Sequence, residues 1–350
     1  MTATSTTFDP AAYGIAPGAA GDIVATQPGG RHETDIAVIG AGPVGLFSVF
    51  EAGMLKLKTH VIDALPHVGG QCSAMYPEKP IYDIPGWPKI EAQALIDQLA
   101  AQAAPFDPAW HLGQQVTDLS RDEATGDWIV GTDKGTEIQA KAVLIAAGVG
   151  AFGPNRPPLA GIEAYEEHSV FYRVARKEAF RGKRVVIAGG GDSALDWAIE
   201  LADIAAAIMV IHRRPKFRGA PESVAKLHAL AAQGKIELVV PYQLHGLEGD
   251  PETGRLDAVT VADLDGNIRR LEADVLLPFF GLSMNLGPIL TWGLALDQNH
   301  ITVEQATMST SLPGIFAIGD IARALGVSQG NIYQYVEKKD DILILILYSA

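Results

Sequence analysis

Cysteine is almost missing from this sequence: among 350 residues there is one, Cys72. A disulfide framework and a vicinal dithiol both need two cysteines, so neither can form within the chain. A long apolar run is missing too, because the purest one, residues 342–347, is far shorter than the roughly 18 residues that cross a membrane. We therefore expect a soluble protein of a reducing, cytoplasmic compartment without membrane association.

Positive charge is also scarce, with 27 Lys and Arg residues against 41 Asp and Glu residues and a net charge of −14. A negative surface repels nucleic acid and anionic membranes unless basic residues cluster locally. Binding to nucleic acid is therefore not expected. No metal site is predicted either.

The first 32 residues are rich in Gly, Ala, Pro and Thr and lack a basic region followed by an apolar core, so we interpret them as a flexible leader. Beyond the leader, strand-like runs of Val, Ile and Ala alternate with helical patterns, which is typical of parallel sheets with crossover helices. Seven runs carry this signal: 35–40, 60–63, 142–147, 184–188, 207–212, 274–278 and 314–318. Two segments, DIAVIGAGPVGLFSVFEAG and RVVIAGGGDSALDWAIELAD, repeat one plan of strand, glycine turn and helix. The pattern predicts an α/β fold with two Rossmann-like dinucleotide-binding domains and three-layer sheets.

The first of these segments carries Gly40, Gly42 and Gly45 in the GxGxxG pattern, directly after a strand. Gly40 permits the tight turn, Gly42 lets the main chain approach a pyrophosphate, and Gly45 permits close packing of the helix. Asp63 ends the next strand, near the roughly 20-residue offset at which a carboxylate binds both ribose hydroxyls. Because that carboxylate needs a free 2′-hydroxyl, the site predicts FAD or NAD.

The second segment carries Gly189, Gly191 and Ala194 in the GxGxxA form. Its following strand is succeeded by arginines instead of an acid: Arg213, Arg214 and Arg218. Guanidinium groups bind phosphate through charge-assisted, often bidentate hydrogen bonds, so this site predicts NADPH with its 2′-phosphate. The alternative is a solvated basic turn without a ligand.

One site for FAD and one for NADPH is the layout of a flavoprotein that exchanges hydride with a nicotinamide. We predict an FAD-binding domain, residues 33–152 and 281–350, that is split around an NADPH-binding domain, residues 153–280. Because the flavin performs the electron chemistry, no catalytic side chain is predicted.

Longer stretches point to one family: GGQCSAMYPEKPIYDIPGWP at residues 69–88, then HRRPKFRGAPES, FGLSMNLGPILTWGL and TSLPGIFAIGDI. On these stretches the chain from about residue 33 to 321 resembles the ferredoxin:NADP+ reductases of the thioredoxin-reductase-like type. The resemblance implies hydride exchange between NADPH and FAD, coupled to one-electron exchange with a ferredoxin or flavodoxin. It also implies a homodimer and rotation between the domains.

The resemblance further implies roles for residues around the FAD. Asp63 holds the ribose, Gln71 and Tyr76 contact the flavin, and the Tyr76 ring stacks on the isoalloxazine. Three more contacts are implied: Val116 with the adenine through its main chain, Phe152 along the cofactor, and Asp320 at the ribityl-phosphate portion. The alternative for Val116 and Phe152 is a plain place in the core.

The cysteine count separates the chain from its fold relatives. Thioredoxin reductases use a CxxC dithiol in the NADPH domain, but residues 159–188 contain no cysteine. Glutathione- and lipoamide-type reductases need two cysteines after the first glycine turn, where only Cys72 occurs. Disulfide reduction by an internal dithiol is therefore excluded, and we interpret Cys72 as a small buried residue.

After Asp320 the sequence leaves the family pattern, because no TGFGEA-like segment follows. Residues 321–350 instead resemble the helix-turn-helix of TetR-type repressors, with IARALG as the first helix and QGNIYQYV as the second. The helix that should precede them is missing, and neighbouring acids cancel the basic residues, so we interpret this segment as a replaced or recombined terminus. At the start of its second helix, residues 328–330 are candidates to face the flavin in place of the missing segment.

The function predicted from the sequence is thus that of an FAD-dependent ferredoxin:NADP+ oxidoreductase. Two alternatives stay open. One is an NADPH oxidoreductase or diaphorase with another acceptor. The other is a nonenzymatic product of recombination, either an inactive flavoprotein or a crude DNA binder.

Overall fold

A computed structural model of the chain describes residues 23–324, and the leader before Ile23 and the tail after Ala324 lie outside this range. The α-helices of the described residues are α1 (Pro43–Met54), α2 (Gln71–Met75), α3 (Ala92–Ala103), α4 (Asp192–Leu201) and α5 (Pro221–Ala232). None of these helices is long and apolar enough to cross a bilayer.

The strands fall into three groups along the chain. Those before the second glycine turn are β1 (Gly30–Ile39), β2 (Thr59–Asp63), β3 (Pro80–Ile81), β4 (Ile90–Glu91), β5 (Ala109–Leu112), β6 (Val116–Arg121), β7 (Trp128–Thr132), β8 (Thr136–Ile145) and β9 (Ala151–Pro154). The middle group is β10 (Arg184–Ala188), β11 (Ala207–Ile211), β12 (Ile236–Val239), β13 (Gln243–Asp250), β14 (Arg255–Ala262), β15 (Ile268–Glu272) and β16 (Val275–Pro278). The last group is β17 (Leu282–Asn285), β18 (Leu296–Asp297), β19 (His300–Val303), β20 (Ile315–Ala317) and β21 (Ala322–Ala324).

The chain divides into two compact units. Unit 1 holds the described residues up to Pro77, Ile81–Phe152 and those from Met284; unit 2 holds Glu78–Pro80 and Gly153–Ser283. The tripeptide Glu78–Pro80 belongs to unit 2 because its side chains bind there. The Glu78 carboxylate accepts the main-chain N–H of Lys177 at 2.7 Å, and Lys79 Nζ lies 3.1 Å from Asp196 Oδ2.

The sheet of unit 1 has the strand order β5-β2-β1-β8-β7-β6, and β20 also pairs with β8. Strand β1 lies between β2 and β8 and pairs in parallel with both. As in any strand, its successive side chains point to opposite faces of the sheet. Val38 packs in the cluster that contains Leu46 of α1 and Ile96 of α3, whereas Ala37 and Ile39 belong to the cluster on the other face. A strand that is covered on both faces must be apolar at successive positions, as this one is.

Unit 2 is built around a parallel sheet with the order β12-β11-β10-β16. Val186 and Ile211 of this sheet pack against Val259 of the antiparallel sheet β13-β14-β15. Leu195 and Trp197 of α4 are buried as well. With a parallel sheet and a crossover helix in each unit, the predicted α/β fold with two Rossmann-like domains is confirmed.

Strand β20 returns the chain to unit 1 and pairs in parallel with β8, with Ile315 opposite Val143. The main-chain N–H of Ile318 donates to Ile145 O at 3.0 Å, which continues this pairing. Because the two strands are parallel, the residues after β20 lie at the same edge of the sheet as those after β8. Gly319 and Asp320 therefore reach the sheet edge that holds the first glycine turn.

The residues that follow Asp320 are extended. Strand β21 pairs in parallel with β19, with Ile301 opposite Ala322, and Ile321 is fully buried beside it. The helix that the resemblance to a helix-turn-helix predicted from residue 321 is therefore wrong for Ala322–Ala324, whose main chain is paired in a sheet. The rest of that predicted motif, including Ser328, Gln329 and Gly330, lies outside the described residues.

Candidate dinucleotide sites

The first glycine turn joins β1 to α1 in unit 1. Gly40 has a φ of 110°, donates its N–H to Ile62 O at 2.8 Å, and has no room for a Cβ, which would overlap the Ala146 carbonyl. A Cβ on Gly45 would overlap the carbonyl of Gly40, so only glycine lets α1 pack this closely on the turn. Gly42 differs, because a Cβ there would point into open space.

Open space at Gly42 is what a phosphate site needs. Gly42 is the N-cap of α1, and no side chain caps the N–H groups of the first turn. Unpaired N–H groups at the positive end of a twelve-residue helix are a ready anion site.

Asp63 stands at the C-terminal end of β2, where the ribose of a dinucleotide is expected. Its Oδ2 accepts the N–H of Ala41 at 2.7 Å, and its Oδ1 accepts the N–H of Leu65 at 2.8 Å. Desolvation raises the pKa of this carboxyl, while these two hydrogen bonds oppose the increase. Both oxygens are fixed by the main chain and keep further lone pairs for ribose hydroxyls.

A second glycine loop lies against the first turn, and the sequence reasoning missed its role. Gly69 donates its N–H to Ala41 O at 2.8 Å, and a Cβ on Gly70 would lie 3.2 Å from the Cα of Gly42. Both Gly69 and Gly70 have positive φ. The GG pair at the head of GGQC was the available signal, since adjacent glycines mark a main chain that must turn tightly or approach another closely.

Helix α2 carries the predicted flavin contacts. Gln71 begins it, and the Gln71 amide lies 3.5 Å from the position of a Cβ on Gly148. Tyr76 is the C-cap of α2. Burial raises the pKa of the Tyr76 phenol, and Cys72 and the charge of Asp320 add to this increase. The structure thus brings Tyr76 and Asp320 within electrostatic range, although 244 positions separate them in the sequence.

Asp320 lies in a 3-10 turn, Gly319–Ile321. Gly319 packs on the first turn of α1, since a Cβ there would lie 3.4 Å from Val44. Desolvation raises the pKa of the Asp320 carboxyl, and His300 opposes the increase. Asp320 is therefore placed beside the phosphate end of the first glycine turn.

Val116 and Phe152 occupy different surroundings. The side chain of Val116 is buried in the core of unit 1, which was the alternative interpretation. Its main chain lies close to Asp63, because Gln114, two positions earlier, donates its N–H to Asp63 O at 2.9 Å. Phe152 lies in β9, and its side chain is outside the described part of the structure.

These residues fit FAD. The uncapped helix end at Gly42 suits a pyrophosphate, Asp63 suits a ribose with both hydroxyls free, and Tyr76 offers an aromatic face.

The second glycine turn joins β10 to α4 in unit 2. A Cβ on Gly189 would lie 2.6 Å from Phe279 O and 2.9 Å from the Cβ of Ala194. Gly191 is the N-cap of α4, has no side-chain cap and faces open space, as Gly42 does. Ala194 is buried at the position of Gly45, and its methyl group is accommodated there.

The three arginines follow β11 on an exposed loop. Arg213, Arg214 and Arg218 make no ion pair with any residue in the described range, so their guanidinium groups are available to a ligand. The main-chain N–H of Arg218 donates to Gly190 O at 2.7 Å, which fixes the loop to the glycine turn. This arrangement fits a dinucleotide with a phosphate on its ribose.

His212 takes the place that Asp63 has in unit 1, and the sequence reasoning gave it no role. The His212 ring packs against Gly190, so closely that a Cβ on Gly190 would overlap the imidazole. The ring also stacks on Phe217, with 5.4 Å between ring centroids. Burial lowers the pKa of His212, and Arg218, Arg213 and Arg214 lower it further. The signal was the glycine at the second position of GGG, which leaves room for a ring.

Comparison with known proteins gives consistent matches. The family model described as pyridine nucleotide-disulphide oxidoreductase matches residues 34–337. The ferredoxin–NADP reductase of Paramagnetospirillum magneticum is 61% identical over 291 residues, which are 83% of this chain and 86% of that protein. The ferredoxin–NADP reductase of Acidiphilium cryptum is 62% identical over 294 residues, 84% of this chain and 86% of that protein.

Among solved structures, the thioredoxin reductase of T. acidophilum has a TM-score of 0.73 and 23% sequence identity. The match covers 83% of this chain and 91% of that one. At this identity the match concerns the fold.

Proposed function

The chain belongs to the pyridine nucleotide-disulphide oxidoreductase family and, within it, to the ferredoxin–NADP reductases, and on this premise we propose an FAD-dependent exchange of electrons between NADPH and a ferredoxin or flavodoxin. FAD occupies the first glycine turn and NADP(H) the second. When bound, the flavin takes up two electrons with the nicotinamide hydride and gives them up one at a time, which is the chemistry that such a partner needs.

One observation carries the proposal: two glycine turns of the same build end in opposite charges. The strand after the first turn ends in Asp63, and the strand after the second leads to Arg213 and Arg214. A carboxylate selects a free 2′-hydroxyl and guanidinium groups select a 2′-phosphate, so the two sites take different nucleotides. A protein that binds FAD and NADPH together can pass electrons between them.

On the FAD side the residues bind and orient the cofactor. The uncapped N–H groups after Gly42 hold the pyrophosphate, and Asp63 accepts the ribose hydroxyls while Ala41 and Leu65 keep its oxygens in place. Tyr76 would offer its ring to one face of the flavin. Asp320 binds the ribityl-phosphate portion.

On the NADPH side the glycine turn and the arginine loop act together. Gly191 leaves the helix end open to the pyrophosphate, and Arg213, Arg214 and Arg218 neutralise the 2′-phosphate. The His212 ring packs against the turn, and burial together with the neighbouring arginines lowers its pKa, which favours the neutral ring. No side chain acts as an acid, a base or a nucleophile.

The family name includes disulphide chemistry, but this chain does not have the means for it. A dithiol that relays electrons from the flavin needs two cysteines, and Cys72 is single and buried. Electrons therefore leave through an external carrier. The predicted homodimer and cytoplasmic setting belong to this proposal as well.

The test is a reduction assay on the purified full chain. We expect a yellow protein with a flavin spectrum that reduces cytochrome c with NADPH much faster when ferredoxin is added than without it. Reduction of ferricyanide alone, with no gain from ferredoxin or flavodoxin, would instead indicate a diaphorase. A colourless protein that binds no FAD would contradict the proposal and favour the inactive product of recombination.

A further inference from the structure

Gln114 is a polar residue in a fully buried place of unit 1. It lies between β5 and β6, and its relative exposure is 0%. A glutamine is seldom buried unless hydrogen bonds to its amide compensate for the lost contact with water. Neither the glycine turns nor the family resemblance gives this residue a role.

The side-chain oxygen of Gln114 binds two threonine hydroxyls. Thr132 is the last residue of β7 and Thr136 the first of β8, and both are buried. Thr136 Oγ1 donates to Gln114 Oε1 at 2.6 Å, and Thr132 Oγ1 donates to it at 3.1 Å. The other end of the amide, Nε2, has no partner among the described residues, so the side chain is held through its oxygen.

The two hydroxyls are themselves fixed by main-chain donors. Thr132 Oγ1 accepts the N–H of Thr136 at 3.1 Å, and Thr136 Oγ1 accepts the N–H of Gly29 at 2.8 Å. Each hydroxyl thus accepts one main-chain N–H and donates its single proton to Gln114 Oε1. Without that oxygen, two buried O–H groups would lose their acceptor in a place where water cannot replace it.

The main chain at Gln114 is bonded to the end of β2. Gln114 donates its N–H to Asp63 O at 2.9 Å, and Gly113 donates its N–H to Leu65 O at 2.8 Å. The carboxylate oxygens of Asp63 accept the N–H groups of Ala41 and Leu65. Gln114 therefore joins the turn between β7 and β8, through its side chain, to the residue that carries the carboxylate, through its main chain.

A second link between the same two segments lies in contact with water. Gln115 donates its N–H to Asp133 Oδ1 at 2.8 Å, and Asp133 donates its N–H to Gln115 O at 2.9 Å. Both residues are exposed, so water can take over these bonds at little cost. The buried bonds of Gln114 are the ones that water cannot replace.

We propose that Gln114 is a positioning residue that sets the preference for FAD over FMN: its buried side chain, bound to Thr132 and Thr136, holds the segment 113–116 against Asp63, where the adenosine half of FAD binds. This inference rests on the proposed function, in which the Asp63 carboxylate binds the adenosine ribose and Val116 meets the adenine through its main chain. Gln114 touches neither; it acts through them.

FMN is the natural reference ligand, because it shares the ring, the ribityl chain and one phosphate with FAD and lacks the adenosine. The residues proposed to bind the shared part are those at the helix end after Gly42, Tyr76 and Asp320. Within the described structure, the hydrogen bonds of Gln114 go to Asp63 and the two threonines and to none of these residues. A change at Gln114 should therefore weaken FAD and spare FMN.

Calorimetric titration of the full-chain apoprotein with FAD and with FMN tests the inference. Gln114→Met keeps the length of the side chain, removes the acceptor and also removes the buried Nε2 that has no partner, so we expect the protein to fold. The Kd for FAD should rise about tenfold, as expected for the loss of one or two buried hydrogen bonds, and the Kd for FMN should change less than about twofold.

Two further variants support this test. Gln243→Met, at an exposed position on β13 of unit 2, is the matched control and should leave both Kd values as they are in the unmodified protein. Thr136→Val keeps the shape of the side chain and removes one of the two hydroxyls that bind Oε1. It should weaken FAD about threefold and leave FMN unchanged.

The outcomes separate this inference from the proposed function. A protein that prefers FAD, and whose preference survives Gln114→Met, overturns the role of Gln114 alone. Equal weakening of FAD and FMN also overturns it, because that result describes a merely structural residue. If Gln114→Met does not fold, Thr136→Val decides, and an unchanged ratio of the two Kd values then overturns the inference. An unmodified protein that binds FAD no better than FMN contradicts the inference and the proposed function together.

Discussion

The two glycine turns differ less in their main chain than in the strand that comes after them. In both units a parallel strand enters a turn with an uncapped helix start and open space at the third residue, Gly42 or Gly191. Beyond the turn, unit 1 ends its next strand with Asp63, whereas unit 2 has the buried ring of His212 and then exposed arginines. Under the proposed function, the turn would fix the phosphates in both sites, and the end of the second strand would select the nucleotide.

The two turns differ most in how closely the helix that follows packs on them, which depends on Gly45 in α1 and on Ala194 in α4. Gly45→Ala should lower the free energy of unfolding by about 3 kcal/mol and abolish FAD binding, because the new Cβ overlaps the Gly40 carbonyl and displaces α1. Ala194→Gly, the reverse change in unit 2, should cost only about 1 kcal/mol through helix propensity and keep NADPH binding. Chemical denaturation and the flavin absorbance per protein would measure both. A Gly45→Ala protein with full FAD content would show that the close approach is not required.

The Asp63 carboxylate of unit 1 should give the next largest effect. Asp63→Asn removes the charge and places an amide N–H against the N–H of Ala41 or Leu65. Since hydrogen bonds to a charged group contribute roughly 1.5–3 kcal/mol, FAD should bind roughly 10- to 100-fold more weakly.

FAD titration of the apoprotein, with exposed Glu33→Gln as control, checks this prediction. Equal affinity in Asp63→Asn would remove the ribose role from this residue.

The arginine loop should give the smallest change, and one of selectivity. Arg213→Ala combined with Arg214→Ala should raise the KM for NADPH roughly tenfold or more and leave that for NADH nearly unchanged, because only NADPH has the 2′-phosphate. Arg255→Ala, at an exposed position at the start of β14 in the same unit, is the control. If the preference for NADPH over NADH stays the same, the loop is the solvated basic turn that was the alternative.

Local patterns made much of the two sites predictable. The glycine turns, Asp63 and the arginines each lie within one strand–turn–helix–strand segment, where neighbouring residues determine the geometry. The roles of Gly69 and Gly70 were missed because they depend on contact with a separate loop, at Gly42. Local sequence carries no such information.

Other features depend on pairing between distant segments. Tyr76 and Asp320 come together only because β20 pairs with β8. The helix expected from residue 321 was wrong for Ala322–Ala324, because pairing of β21 with β19 outweighed a local resemblance.

The hydrogen bond from the Arg218 N–H to Gly190 O has a consequence for cofactor engineering. This bond ties the arginine loop to the glycine turn, so under the proposed function we expect the affinity for the pyrophosphate and the affinity for the 2′-phosphate to be coupled. Grafting a loop from an NADH-dependent enzyme into positions 213–218 would shift the turn as well as remove the charges. A redesign of coenzyme preference should therefore exchange residues 189–194 and 212–220 together.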